Sequence, residues 1–216
     1  MTDVIPLTLK RSKTTLDGNH YIPSTMDFNK QLNGMKITET NLKDAFVITS
    51  KKYEDDRGFF MESFNAKDFR ENVSRTEFFV QDNHSKSSKG VLRGLHYQIE
   101  HPQAKLVRCI SGVVYDVIVD LRKTSETFGK WFGITLDRPE LQLWVPPGFA
   151  HGFYVVSDLA EITYKTTDYY YPEHDRTLLW NDSELNIDWG FEGNPVLSLK
   201  DSQGKTFEEC DKYEYE

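Results

Sequence analysis

The stretch "VLRGLHYQIEHPQAKLVRC", Val91 to Cys109, holds His96, His101, Arg93, Arg108 and Lys105 inside what otherwise reads as β-structure. An imidazole there could ligate a metal, sit satisfied in a core, or move a proton near neutral pH. Small β-barrels that bind iron, manganese or zinc often use histidines at i and i+2 of one strand, then a carboxylate and a further histidine. Here Tyr97 and Gln98 follow His96, so the second ligand position holds an amide, a poor ligand for those ions. His101 stands beside Pro102 and is expected in a turn, facing away from His96. His151, in "VPPGFAHGF", could supply a third ligand, but no complete set is visible. Neither a metal nor a cofactor is expected.

A lone strand histidine is most simply a core residue, but the neighbours of His96 change that reading. Arg93, His96, Lys105 and Arg108 lie on two adjacent strand candidates. Burying so many cations is costly unless an anion or paired carboxylates meet them. Structural salt bridges remain the alternative. Gly94 is a candidate bulge that would let Arg93 and His96 turn towards one cavity despite opposite parity.

Positioning these groups falls to strands. Runs of β-branched and aromatic residues recur about every ten residues, among them "AFVITSKKY", "GFFMESF", "TEFFVQDN", "KLVRCI", "VVYDVIVDL", "KWFGITL", "LQLWVP", "GFYVVS" and "EITYKTT". Gly, Pro, Asn or Asp separates them, the pattern of an antiparallel sandwich or barrel. One short helix is expected over "AKDFRENV", with Asn65 as its N-cap. Along Val113 to Leu121 the odd positions are wholly apolar, whereas Val114, Asp116, Ile118 and Asp120 mix carboxylates with aliphatics. The mixed face suits either the lumen of a small barrel or open solvent. Tyr164 shares a strand face with Ile162 and is expected to be half-buried.

With 216 residues the chain suits a single domain able to bury its own core. Residues 1–34 are poor in periodic apolar positions and read as an amino-terminal extension, a flexible arm or one that packs on a partner subunit. The globular domain is expected over 35–216, with the acidic end "FEECDKYEYE" as a solvated tail. A net charge of -8 offers duplex nucleic acid no basic face, so a phosphate-bearing ligand must meet a local cluster of Arg and Lys. Only two cysteines, far apart, and no long apolar segment lead to the expectation of a soluble cytoplasmic protein without disulfides or a membrane span.

The blocks "DDRGFFMESF", "FFVQDNHSKSSKGVLRGLHYQ", "KLVRCISGVVYDVIVDLRKTSETFGKW", "LWVPPGFAHGF", "EITYKTTDYYYPEHDRTLLWND" and "LSLKD" run in one order from about Met35 to Asp201. Together they closely resemble the dTDP-4-dehydrorhamnose 3,5-epimerase family. The resemblance implies an all-β, cupin-like jelly roll, a double-stranded β-helix with a few short helices. It also implies a homodimer without a required metal, acting on a dTDP-4-keto-6-deoxy sugar nucleotide. On the matching positions His96 is the general base, Asp201 the carboxylate that fixes its tautomer, Tyr164 the acid on the opposite face and Lys105 the cation near the C4 oxygen. Read as residues alone, Asp201 is a turn residue, and Tyr169, Tyr170 and Tyr171 compete with Tyr164. Matching nucleotide-sugar contacts are Arg57, Glu62, Gln81, Asp82, Asn83, Arg93, His151, Tyr170, Asp175 and Lys200. Arg93 suits the diphosphate, Tyr170 a stack on thymine, and Arg57 the neighbouring subunit's site.

Such a substrate makes the chemistry explicit. A C–H bond beside a ketone is a weak acid whose removal charges the carbonyl oxygen, so inversion needs a base, an opposed acid and a cation or donors for the enolate. Alternatives are a single-carbon epimerase or ketoisomerase of the same superfamily, a non-catalytic sugar-binding jelly roll, and a metal-dependent oxygenase.

Overall fold

The computed structural model describes residues 29–32 and 34–215. In chain order the first strands are β1 (Asn29–Leu32), β2 (Met35–Glu39), β3 (Phe46–Ser50), β4 (Lys52–Asp55) and β5 (Gly58–Met61), followed by helix α1 (Ala66–Asn72). Next come β6 (Gln81–Ser88), β7 (Leu92–Gln98), β8 (Lys105–Ser111), β9 (Val114–Asp120), β10 (Trp131–Leu136), β11 (Leu141–Val145), β12 (Phe149–Val155) and β13 (Leu159–Thr166). A single 3-10 turn (Pro172–His174), β14 (Asp175–Thr177) and helix α2 (Leu199–Ser202) complete the elements.

Two antiparallel sheets face each other, in the orders β1-β2-β3-β11-β8-β13-β6 and β10-β9-β12-β7-β14, while β4 and β5 form a separate hairpin. From β6 onward the chain alternates between the sheets, apart from the β9–β10 pair. This is the expected all-β jelly roll.

Side-chain alternation builds two apolar layers from the same strands. Between the sheets, Val114 and Ile118 of β9 and Phe149 and Phe153 of β12 meet Val107, Cys109, Leu143, Val145 and Ile162. Outside the smaller sheet, Val117, Val119, Leu121, Leu92, Leu95 and Trp131 are covered by Leu178, Leu185, Trp189, Phe207 and Tyr213. The mixed face of β9 therefore looks into the barrel, and Asp116 and Asp120 are fully buried there. Each fully buried aliphatic side chain contributes about 1.5–3 kcal/mol, so a one-residue slip that moved both carboxylates into the outer layer is excluded.

Several expectations require correction. The acidic end is no solvated tail: Phe207, Cys210 and Tyr213 are buried, and the Tyr213 amide donates to the Leu121 carbonyl at 3.0 Å. Its apolar residues recur closely enough to cap the outer layer despite the carboxylates between them. "TEFFVQDN" becomes strand only from Gln81. The Phe79 ring is instead packed 5.1 Å from Phe69 and 6.0 Å from Trp144, so its aromaticity serves the seat of α1 rather than a ladder. That helix forms as expected, with Asn65 Oδ1 accepting from the amides of Lys67 at 3.0 Å and Asp68 at 3.2 Å. The expected arm over 1–34 lies mostly outside the described residues. Within it, Asn29–Leu32 pairs antiparallel with Met35–Thr38.

Candidate active site

His96 lies on the inner face of the smaller sheet, cross-strand from His151. Between the pairs His151–His96 and Phe153–Arg93 two residues of β7 oppose one of β12, which is the bulge foreseen at Gly94. Gly94 has φ +113°, and a Cβ there would stand 2.6 Å from Gly152 Cα and 2.7 Å from the His151 carbonyl oxygen. Only glycine allows this approach.

Helix α2 supplies the partner of His96. Asp201 Oδ1 lies 2.5 Å from His96 Nε2, Ser198 Oγ donates to Asp201 Oδ2 at 2.8 Å, and the carboxylate is buried. Ser198 also caps α2 by accepting from the Asp201 amide at 3.1 Å. Burial pushes the Asp201 carboxyl up, but hydrogen bonds from His96 and Ser198 outweigh it and hold the group below its ordinary range. A carboxylate at Nε2 keeps the imidazole proton on that nitrogen and leaves the lone pair on Nδ1. Burial, aided by Lys200 and Lys105, lowers the His96 pKa against the opposing pull of Asp201. The ring is therefore neutral near pH 7 and able to accept a proton.

Lys105, on the inner face of β8, donates from Nζ to the His96 carbonyl oxygen at 3.3 Å. Burial lowers its pKa to about 8, with Asp175 and Asp116 pulling the other way. It is still a cation at neutral pH and is held where charge is poorly screened.

Tyr164 projects from β13 on the facing sheet and packs against the inner core, half-buried. Burial raises its pKa, partly offset by Arg93, so the phenol keeps its proton. A neutral imidazole on one sheet, with a protonated phenol and a buried ammonium on neighbouring strands of the other, forms a set for moving protons at carbon.

A family model described as dTDP-4-dehydrorhamnose 3,5-epimerase matches residues 39–209. The chain belongs to this family.

Among curated epimerases of the family, that of Shigella flexneri is 53% identical over 181 residues, covering 83% of this chain and 99% of the relative. The solved epimerase of Legionella pneumophila, in complex with dTDP-4-keto-L-rhamnose, is 46% identical with a TM-score of 0.82, over 84% of this chain and 99% of its own. A 3'-monoepimerase from Streptomyces bikiniensis, in complex with dTDP-quinovose, is 29% identical with a TM-score of 0.72, over 78% of this chain and 86% of its own.

The positions that the resemblance matches to nucleotide-sugar contacts are spread over both sheets and the hairpin. Gln81 and Asn83 project inward from β6, where Gln81 Nε2 donates to Asn83 Oδ1 at 2.9 Å. Arg93 donates from Nε to Ser87 Oγ at 3.0 Å, which leaves both terminal nitrogens of the guanidinium for an anion. His151 is buried, with Nε2 at 3.0 Å from both carboxylate oxygens of Asp116. Asp175 binds Lys200 Nζ and accepts from the Tyr170 hydroxyl at 3.0 Å.

Asp82 instead points to the outer face of the larger sheet, where it accepts from Lys165 Nζ at 2.9 and 3.0 Å. Arg57 and Glu62 stand apart from these groups in the same chain. Arg57, at the tip of the β4–β5 hairpin, has a side chain 90% exposed and paired with Asp55, and Glu62 accepts from Asn65 Nδ2 at 3.3 Å.

His101 occupies the expected turn, stacked on Tyr171 at 4.2 Å and facing Asp168. Among the described residues no three His, Cys, Asp or Glu side chains converge as a metal-ligating group. Asp116 and Ser198 were not foreseen as site residues, though the parity of β9 and the S-x-x-D spacing in "SLKD" carry their signals.

Proposed function

We propose that this protein inverts C3 and C5 of dTDP-4-dehydro-6-deoxy-D-glucose through enolate intermediates, giving dTDP-4-dehydro-L-rhamnose. The Nδ1 lone pair of His96 removes the proton beside the C4 ketone, and Asp201 stabilises the imidazolium that forms. Lys105 meets the negative charge on the C4 oxygen. Tyr164 returns a proton from the opposite face of the sugar, which inverts the carbon. No electrons change hands, and side chains alone supply each step. The observation that carries this reading is the His96–Asp201 pair beside buried Lys105, opposed across the barrel by Tyr164.

Arg93 holds the diphosphate, Tyr170 stacks on thymine, and Gln81, Asn83, His151, Asp175 and Lys200 complete the subsite. Arg57 and Glu62 reach it from a second copy, while Asp82 stays paired with Lys165 on the outer face. The protein works as a homodimer in the cytoplasm. Tyr53, Phe59 and Phe60 are exposed on the hairpin that carries Arg57, a surface that suits insertion into a second copy. Two free buried cysteines suit a reducing compartment.

The similarity to a 3'-monoepimerase favours one second reading, inversion at C3 alone. Proton NMR of the product formed from dTDP-4-dehydro-6-deoxy-D-glucose separates the two. Inversion at both carbons supports the double epimerase, inversion at C3 alone supports the second reading, and unchanged substrate contradicts both.

A further inference from the structure

The amide that stands where a metal-binding barrel would carry its second histidine has a different use. Gln98 is buried at the end of β7, on the same strand face as His96. Its Nε2 donates to the carbonyl oxygens of His101 at 2.7 Å and Tyr169 at 3.1 Å, and its Oε1 accepts from the Tyr171 amide at 2.7 Å. All the hydrogen-bonding capacity of Nε2 is spent on backbone, and two of the three bonds go to the residues on either side of Tyr170.

We infer that Gln98 is a positioning residue for the nucleobase end of the substrate: it fixes the peptide units flanking Tyr170 and so sets where that aromatic ring stands relative to His96. This rests on the reading of Tyr170 as the thymine stack.

The surroundings support a clamp of this kind. Tyr170 itself is exposed, as a ring awaiting a planar partner must be. Its hydroxyl is tied to Asp175, the cross-strand neighbour of Gln98. The loop is held at its base by Gln103 Nε2, which donates to the Asp168 carbonyl at 2.9 Å, and by the Tyr171 ring stacked on His101. A loop without regular hydrogen bonding would otherwise lose conformational entropy on binding, and ordering it beforehand lowers that cost. Because Gln98 and His96 belong to one strand, two residues apart, the base and the stacking ring share one rigid reference. Gln98 touches neither reacting carbon, so its effect should fall on binding rather than on chemistry.

The test is a double-mutant cycle of Gln98→Met and Tyr170→Ala, read by calorimetric titration of dTDP and by steady-state kinetics. Gln98→Met keeps the side-chain length and removes every hydrogen bond. The dissociation constant for dTDP and KM should each rise about tenfold, the scale of a few lost neutral hydrogen bonds. The kcat should stay within about twofold of wild type, the pattern of lost uniform binding. In the Tyr170→Ala background Gln98→Met should add no further loss. Gln98→Leu, which also removes all three side-chain bonds without burying a charge, should show a similar loss and serves if the Met variant fails to fold.

Unchanged dTDP affinity in both Gln98 variants overturns the inference. So does a loss that persists undiminished without the Tyr170 ring, or a fall in kcat at constant KM. Wild-type protein that binds dTDP but turns nothing over would remove the epimerase reading while the dTDP cycle still decides the role of Gln98.

Discussion

His96 and Asp201, 105 positions apart in the chain, are joined by a 2.5 Å contact between imidazole Nε2 and carboxylate Oδ1. The contact fixes which nitrogen carries the proton and therefore which one can take a proton from carbon. Asp201→Asn keeps the shape of the site but can present its amide N–H to Nε2, which favours the wrong tautomer. Turnover should fall on the order of 10²–10⁴-fold, the range of general acid–base assistance. Affinity for dTDP should hold, and kinetics beside a dTDP titration check both statements.

Two groups set the pH dependence. Burial lowers the His96 pKa below its ordinary 6.5, so activity is lost as pH falls through that lowered value and the base becomes protonated. Lys105, lowered to about 8, must remain charged to meet the enolate, so activity is lost again above that value. The profile of kcat/KM should be a bell. In Lys105→Met the basic limb should vanish and the remaining rate should drop by about a hundredfold or more.

The bulge that aims His96 depends on Gly94. Gly94→Ala imposes a side chain at φ +113° and drives Cβ to 2.6 Å from Gly152 Cα. Backbone strain and overpacking together should destabilise the fold by about 2–4 kcal/mol. Thermal melting measures that loss, and activity in the surviving folded fraction should fall as β7 and β12 separate.

Arg57 tests whether sites are shared between subunits. If the β4–β5 hairpin of one copy completes the site of another, Arg57→Ala and His96→Ala are each inactive alone. Mixed after reversible dissociation, they should recover activity in hybrid dimers that contain one intact site. A mixture that stays inactive while forming hybrids contradicts the shared site.

Much of this arrangement was legible in the residues. Gly94 inside a strand run signalled the bulge, and the parity of Val113 to Leu121 separated a wholly apolar face from a mixed one that lumen or solvent could equally have met. Of the crowded cations, His96 and Lys105 do meet on the inner side, whereas Arg108 alternates with Lys105 along β8 and faces the other side of the larger sheet with Leu106. The ligand set around His96 was visibly incomplete because Gln98 occupies the next inward position.

Other parts were not legible, for physical reasons. Asp201 lies in a four-residue helix with no periodicity to announce it, and its role depends on a partner far away in the chain, so only the family resemblance pointed to it. β2 and β14 are short and stand near sheet edges, where polar residues are tolerated and alternation is weak. Phe79 misled because an aromatic run reads as strand whether its rings serve a ladder or the underside of a helix. The carboxyl-terminal segment misled because its carboxylates mask Phe207 and Tyr213, which are buried.

The central claim is a division of labour across the barrel, with His96 taking the proton and Tyr164 giving one back. Its most direct test is NMR of dTDP-4-dehydro-6-deoxy-D-glucose in deuterated water with wild type, His96→Ala and Tyr164→Phe. Wild type should place deuterium at C3 and C5 with inversion, His96→Ala should place it at neither carbon, and Tyr164→Phe should retain exchange while inversion falls sharply. Exchange that persists in His96→Ala, or normal inversion at C5 in Tyr164→Phe, would contradict the assignment.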